Sequence, residues 1–599
     1  MHLIDWLIVL AYLLCSLGVG LYLSRRAAGS LVDFFVSGRS LPWWLAGTSM
    51  AATTFSIDTP LYIAGVVGSR GVAGNWEWWS FGIAHVVMIY VFARLWRRSE
   101  VVTDAELTEL RYGGSMAAVL RGVKAFLFAV PINCIGIGYA MLAMVKVVDA
   151  LGIWSSLGFA GEPAATVKLW SVIGVSLLVL LYAGLSGLWG VVATDFFQFF
   201  LALLGAIVVA IAAVNHVGGM GELVAQVQTL TDQDVLSVVP ITVGQGTWVS
   251  WSETAGITLS TFFAYVFLQW WAFRRSDGGG EFIQRLVASK DEAEAEKAAW
   301  FFNILHYVIR TWPWVVVALV AIVVYPNLED RELGYPKLML EFLPPALLGL
   351  VVASLVAAFM STVSTLINWG ASYLTNDLYG RFLRPQAEQA ELVLAGRLAS
   401  VIVTGLGAIA AFFAEDITTV FRLVIAIGTG PGLVLILRWF WWRINAAAEL
   451  SSMVAGFVIG LITSVVPLLT IDNFGLRLLV TSGLTTVIWI GVMVLTPPES
   501  DATLDRFYRK VRPGGLGWRR QQIRTGVRPA QSLSLDLQRV LAAILLLFGA
   551  MLTVGGFLLY QPLAGWIWLI IAVLGWMGLR HLGKQRIAPM PRPGLDDAE

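Results

Sequence analysis

Three polar stretches interrupt otherwise apolar runs, and their residue types suggest ion chemistry. Residues 357–365 read Ala357-Ala-Phe-Met-Ser-Thr-Val-Ser-Thr365. Helical spacings of three and four put Ala358, Ser361, Thr362 and Thr365 on one face, with Ser361, Ser364 and Thr365 as an overlapping stripe. Neutral hydroxyls and carbonyls at close range suit a hard monovalent cation such as Na⁺, by the oxygen preference of hard ions. The same small residues also suit a close helix–helix seam. Residues 51–60 read Ala51-Ala-Thr-Thr-Phe-Ser-Ile-Asp-Thr-Pro60. Pro60 has no N–H for the Ser56 carbonyl, and the hydroxyls of Thr53, Thr54, Ser56 and Thr59 compete with the helix ladder. This is either a broken helix with carbonyls facing a polar cavity or a proline kink satisfied by neighbours; the carboxylate of Asp58 favours the first. In the third stretch, Gly184 to Gln198, Asp195 either caps a helix at the surface or sits inside and supplies the negative charge of an ion site.

The elements that position these residues follow from composition. The chain has 599 residues, of which 13% are charged and 58% apolar, against roughly 25% charged in soluble domains. The formal net charge of +1 provides no basic field for phosphate, so no nucleic-acid partner is expected. The class is a polytopic membrane protein in contact with the lipid bilayer. Cys15 and Cys134 both lie in apolar runs and make neither a metal spacing nor an evident disulfide pair. The 26 Trp suit membrane interfaces. The N-terminus lacks a basic signal-peptide head and is read as a retained first helix.

A spanning helix needs about 20 apolar residues, and fifteen stretches qualify, from 3–23 to 563–580. They are continuous rather than alternating, which excludes a membrane β-barrel; strands are not needed. Basic clusters follow every odd stretch except the fifth: Arg25-Arg26, Arg94 with Arg97-Arg98, Arg274-Arg275, Arg381 with Arg384, Arg438 with Arg443, the 506–528 segment, and Arg580 with Lys584 and Arg586. Cytoplasmic loops retain such residues. The N-terminus is therefore expected outside and the C-terminus inside a cell inner or plasma membrane. The 506–528 segment is expected on the inner leaflet surface, and the Pro-rich tail 589–599 is expected to be disordered.

Taken together, these segments resemble the sodium:solute symporter family, whose members have the LeuT-type fold. The likeness runs from Asp33-Phe-Phe-Val-Ser-Gly-Arg39 through Gly190-Val-Val-Ala-Thr-Asp195-Phe-Phe-Gln198 and Gln284-Arg285 with Ala288 and Lys290-Asp291. It continues to Ala358-Phe-Met-Ser-Thr362 and Asn376-Asp-Leu-Tyr379. The resemblance implies an all-α, 5+5 inverted-repeat bundle with one extra N-terminal and about four extra C-terminal transmembrane helices. The parts would be an extra helix in 1–30, a first five-helix repeat in 31–215, an outer loop in 216–254 and a second repeat in 255–440. Two further helices would fill 441–499, a basic cytoplasmic segment 500–537, and a helix pair with its tail 538–599. Five spans per repeat, an odd number, give the repeats opposite orientation, as inverted repeats require.

The resemblance also implies a Na⁺ site made by the carbonyls of Ala52, Phe55 and Ala358 and the hydroxyls of Ser361 and Thr362. Asp195, Ser361, Ser364 and Thr365 match a second sodium site present in some members. The substrate site belongs near mid-membrane, beside the broken first and sixth core helices. Its candidates are Thr54, Ser56, Asp58, Tyr62, Asn133, Tyr139, Tyr265, Gln269 and Trp270. The chain departs from the family where W-x-x-N-Q often stands: it reads Gln269-Trp-Trp-Ala-Phe-Arg-Arg-Ser-Asp-Gly-Gly-Gly280, which leaves the substrate open.

The expected function is sodium-coupled symport of a small polar organic solute (a sugar, amino acid, carboxylate or similar) by alternating access. The expected transport unit is a monomer, with Na⁺ as coupling ion and no organic cofactor. The alternative is an intramembrane enzyme acting on a lipid or glycan. The five histidines are scattered without an H-E-x-x-H pair, and His85 and His306 are expected to be buried and hydrogen-bonded. A channel would need a pore-lining ring or filter loop, and none repeats here.

Overall fold

The computed structural model describes residues 1–24, 35–156, 158–159, 161–244 and 247–583. Asp33, the Arg25-Arg26 pair, Lys584, Arg586 and the 589–599 tail lie outside them. The described residues form an all-α bundle. Ten of its helices are long and apolar enough to cross a membrane, and an eleventh span is a bent pair. The other four apolar stretches are helical too. They are α1 (Leu3–Ser24), part of a long run further on, the region from Leu259 to Ala272, and a pair in 417–440.

The bent pair is α2 (Trp43–Thr53) and α3 (Asp58–Arg70), which meet at 55°. The break falls at 54–57, before Pro60 rather than at it. Pro60 is the third residue of α3, where a missing N–H costs nothing. The Ser56 carbonyl, which Pro60 cannot serve, instead accepts from the Thr59 N–H at 3.1 Å. The Thr54 hydroxyl turns back onto the carbonyls of Met50 and Ala51, both at 3.1 Å. This is the side-chain competition that the threonine-rich run led us to expect.

The fifth and sixth stretches join in one helical run, α4 (Ala164–His216). The polar stretch from Gly184 to Gln198 lies within this helix; no proline there removes a ladder donor. Against α4 lies α5 (Leu347–Ser372), which carries the Ser361–Thr365 stripe. Their backbones approach closely at Gly205, where an added Cβ would stand 2.0 Å from Ser354 Oγ. Small residues allow that approach within a membrane.

Two further breaks face one another. The helix that ends at Ala272 gives way to extended backbone at Phe273, and helix resumes at Glu281. The tenth core helix is split into α6 (Ile417–Gly428) and α7 (Gly432–Phe440). The Gly430 N–H donates to the Ala272 carbonyl and the Arg274 N–H to the Gly428 carbonyl, each at 2.8 Å. Gly430 has φ +117°, a conformation L side chains rarely adopt.

Outside the bundle the structure differs from the sequence reading twice. The polar outer loop holds a short antiparallel hairpin, Ile241–Gly244 with Thr247–Trp251. The basic 506–528 segment is folded against the bundle. Phe507, Tyr508 and Trp518 are buried, and Trp518 Nε1 donates to the Trp439 carbonyl at 2.7 Å. These aromatics are spaced along helices Asp501–Val511 and Leu516–Trp518, and their burial holds the segment on the bundle.

Candidate functional site

The break in the α2–α3 pair lies against α5. Thr362 Oγ1 donates to the Thr53 carbonyl at 2.9 Å, and Thr53 Oγ1 stands 3.1 Å from Thr365 Oγ1. Ala52, Phe55, Ala358, Ser361 and Thr362 are all buried. Main-chain carbonyls at the break and hydroxyls on α5 thus lie side by side, the neutral oxygen chemistry that a hard cation such as Na⁺ prefers. Thr53 was not among the expected ligands. Its hydroxyl stood out in the sequence, but the part its carbonyl plays appears only when α5 is packed against it.

Asp195 lies within α4 rather than at a helix start, and is fully buried; it is not a cap. Ser361 Oγ donates to Asp195 Oδ1 at 2.6 Å and Ser49 Oγ to Oδ2 at 2.5 Å. Arg285 Nη2 stands 3.7 Å from Asp195 Oδ2 and donates to Thr365 Oγ1 at 2.6 Å. Arg285 Nε donates to Ser49 Oγ at 3.1 Å. Ser364 Oγ donates to the Ser361 carbonyl at 3.1 Å. Asp195, Ser361, Ser364 and Thr365 are therefore brought together, with the Arg285 guanidinium as the cation that faces the carboxylate. Ser361 belongs to this cluster and to the neutral oxygen set at once.

Beside the break is a cavity of about 150 Å³. Five of the expected substrate residues line it: Thr54, Ser56, Asp58, Tyr62 and Tyr139. Thr53 and Thr362 also reach it, so the oxygen set and the cavity share a wall. Four expected residues lie elsewhere. Asn133 Nδ2 donates to the Leu366 carbonyl at 2.9 Å, and Gln269 Nε2 to the Glu77 carbonyl at 2.5 Å. The Tyr265 hydroxyl accepts from Arg70 Nη1 at 3.3 Å, and half-buried Trp270 is not on the cavity wall. Proximity in sequence to a broken helix does not decide which face of that helix meets the cavity.

The other wall comes from a π-helical segment, Ile304–Ile309, followed by helix Thr311–Val324. Pro313 cannot donate to the Ile309 carbonyl, so the ladder re-registers there and the Arg310 N–H reaches the Leu305 carbonyl at 3.2 Å. His306, Tyr307 and Arg310 thereby line the cavity, together with His85 and Arg275. Both histidines are buried and bonded, as expected: His85 Nδ1 is 2.8 Å from the Tyr307 hydroxyl, and His306 Nδ1 is 2.9 Å from Thr54 Oγ1. Arg310 went unremarked in the sequence, although a charge inside the apolar stretch 297–325 was signal enough.

Buried charge clusters lie toward both ends. At the end carrying the 215–250 loop, Glu77 takes Arg70 at 2.5 Å and Arg422 at 2.8 Å. At the end carrying the 276–296 loop, Arg438 joins Asp277 at 2.8 Å and Glu449 at 2.9 Å, and Glu449 also takes Lys124 at 3.1 Å. Among the described residues no group of three or more His, Cys, Asp or Glu is placed to hold a metal ion.

The sequence model described as the sodium:solute symporter family matches residues 34–456. A sodium/glucose cotransporter of Vibrio parahaemolyticus is 26% identical over 491 residues, covering 78% of this chain and 86% of that protein. The sodium/mannose cotransporter of Bos taurus is 24% identical, covering 76% and 78%. A sodium/myo-inositol cotransporter of Mus musculus is also 24% identical, covering 76% and 69%. The fold is similar to that of a Na⁺-coupled sialic acid symporter solved in a substrate-bound outward-open state. That match has a TM-score of 0.64 at 21% identity, covering 83% of this chain and 99% of the other.

Proposed function

The chain belongs to the sodium:solute symporter family, and we propose that it couples Na⁺ to a polyhydroxylated solute held in the cavity beside the α2–α3 break. As a member it is a multi-pass, sodium-coupled symporter of LeuT-type fold and not an enzyme, which replaces the lipid- or glycan-enzyme alternative. The Na⁺ ligands are the carbonyls of Ala52, Phe55 and Ala358 and the hydroxyls of Ser361 and Thr362, with the Thr53 carbonyl beside them. The observation that carries this reading is the 2.9 Å contact of Thr362 with the Thr53 carbonyl, on residues that also line the cavity.

The named relatives carry glucose, mannose, myo-inositol or sialic acid, all rich in hydroxyls. The cavity suits such a solute: the Tyr62 hydroxyl is buried without a partner, and Ser56 and Asp58 present polar groups on the same wall. Buried polar atoms of this kind are costly until a ligand satisfies them. Segments 31–215 and 255–440 act as the inverted repeats, with the N-terminus outside. The Glu77 cluster then closes the outer end and the Asp277–Arg438–Glu449 cluster the inner end; alternating access opens one while the other holds. The coupling ion biases that equilibrium only through different affinity for the two states, and ligands divided between α5 and the broken pair provide the difference. The unit is a monomer and needs no organic cofactor.

The test is uptake by the purified chain in proteoliposomes, under inward Na⁺ and inward K⁺ gradients, with a panel of radiolabelled polyols, sugars and sugar acids. Uptake driven by Na⁺ alone, and lost in Ser361→Ala and Thr362→Ala, is expected. Equal uptake under both gradients would sink the ion assignment.

A further inference from the structure

The basic segment between the spans Phe474–Leu495 and Leu533–Leu558 has two faces. One is packed on the bundle: Phe507, Tyr508, Trp518 and Gln521 are buried. The other points outward. Helix Leu516–Trp518 runs directly into helix Arg519–Thr525. Helical spacings of three, four and seven put Leu516, Arg519, Arg520 and Ile523 on one side of this run, opposite Trp518 and Gln521. All four are exposed, Leu516 at 88% and Ile523 at 75%. Large aliphatic side chains held in water are unfavourable. Aliphatic residues interleaved with arginines on one helix side are the pattern of a helix lying in a membrane interface.

Position and charge point to the same neighbour. Both ends of the segment run into spans, so it lies along one membrane surface. Gly515 packs against Leu533, the first residue of the second span; a Cβ at Gly515 would stand 3.1 Å from Leu533 Cδ2. Leu516 is thereby held at the level where that helix enters the bilayer. Residues 501–528 carry eight Lys or Arg against two Asp. The two acids are shared by Arg520 and Arg524. Among the described residues no carboxylate pairs with Arg509, Arg519 or Arg528, all of them exposed. Such an excess beside a membrane favours anionic over zwitterionic headgroups. We propose that the Leu516–Ile523 stripe docks on anionic lipid, with Leu516 and Ile523 among the upper acyl chains and Arg519 and Arg520 on the headgroup phosphates. In the orientation proposed above, this is the inner leaflet. The buried side of the same helix ties the contact to the inner charge cluster. Trp518 Nε1 donates to the Trp439 carbonyl at 2.7 Å, and Trp439 Nε1 donates to Asp277 Oδ2 at 3.0 Å.

The experiment measures labelling of Ile523→Cys in the full-length chain by a neutral, water-soluble maleimide. Cys15→Ser removes the exposed native thiol, and Cys134 is buried. The chain is placed in nanodiscs of phosphatidylcholine alone, or of phosphatidylcholine with about one-third phosphatidylglycerol. Nanodiscs expose both faces, so the result does not depend on the orientation or on the transport reading. The anionic lipid is expected to slow labelling at least about fivefold, and high salt should reverse the effect. Arg519→Gln/Arg520→Gln should restore fast labelling, and Arg519→Lys/Arg520→Lys should keep it slow. These side chains are exposed, so an unchanged melting temperature is expected in each variant. Equal labelling in the two lipids, fast or slow, overturns the proposal. So does protection that survives the double glutamine variant. Protection that appears only in concentrated detergent solution would assign the stripe to a second copy of the chain, and also overturns it.

Discussion

The side chain of Thr362 donates to the main-chain carbonyl of Thr53 across the interface between α5 and the broken helix pair, at 2.9 Å. This contact ties the hydroxyl stripe of α5 to the point where α2 loses its ladder, and both residues reach the cavity. Replacing Thr362 by Val keeps its shape and removes the oxygen. We expect the Na⁺ concentration for half-maximal uptake to rise about tenfold, equivalent to ~1.4 kcal/mol, with Thr362→Ser close to wild type. An unchanged Na⁺ requirement in Thr362→Val would remove Thr362 from the ion site.

Asp195 and Arg285 are both fully buried. Asparagine at position 195 keeps hydrogen-bonding capacity for Ser49 and Ser361 but removes the carboxylate that faces Arg285. Breaking a buried pair by removing one partner costs about 3–5 kcal/mol. Asp195→Asn should lower the melting temperature markedly, and the double variant Asp195→Asn/Arg285→Gln should recover part of the loss. If the double variant is no more stable than the single one, the two charges are not coupled.

Glu77 holds Arg70 and Arg422 at one end, and Asp277 holds Arg438 at the other. Neutralising either carboxylate should bias the equilibrium toward opening its own end. With Phe421→Cys on the cavity wall and Cys15→Ser removing the exposed native thiol, an impermeant thiol reagent added outside reports the bias. Glu77→Gln should speed labelling roughly fivefold for ~1 kcal/mol of shift, and Asp277→Asn should slow it. Equal rates in the two variants would show that these clusters do not govern access.

A pH dependence follows from Glu109, on the short helix Glu106–Arg111 outside the spans. Burial alone would raise its carboxyl, but hydrogen bonds from Arg381 and Arg121 hold it below the ordinary 4.5. A depressed carboxyl contributes stability that is present above the unfolded value and is lost as pH falls through the folded one. Wild type should therefore melt above Glu109→Gln at neutral pH, with the gap closing as the pH falls below 4.5. A gap that persists in acid would point to packing rather than charge.

Much of the site was legible in the sequence because membrane burial makes polar residues conspicuous. The α5 stripe, the threonine-rich break with Asp58, and Asp195 all declared themselves against an apolar background. Arg310 and Lys124 carried the same signal. Spacing along the chain does not assign their partners. Asn133, Tyr265, Gln269 and Trp270 lie off the cavity wall, and the first three have other partners. For Gln269 that partner is the Glu77 carbonyl, and for Tyr265 it is Arg70.

The sequence alone determined the membrane class, the family likeness and the two elements that meet at the proposed ion site, because length, hydropathy and local ladder chemistry are properties of neighbouring residues. Only the tertiary structure decided that Arg285 faces Asp195, that the helix breaks before Pro60 rather than at it, and that a π-helical turn sets Arg310 on the cavity wall. The first pairing joins residues separated by 90 in sequence, through the packing of one helix against another. The electrostatics of a low-dielectric interior depend on which charges share a space, and spacing along the chain does not specify that.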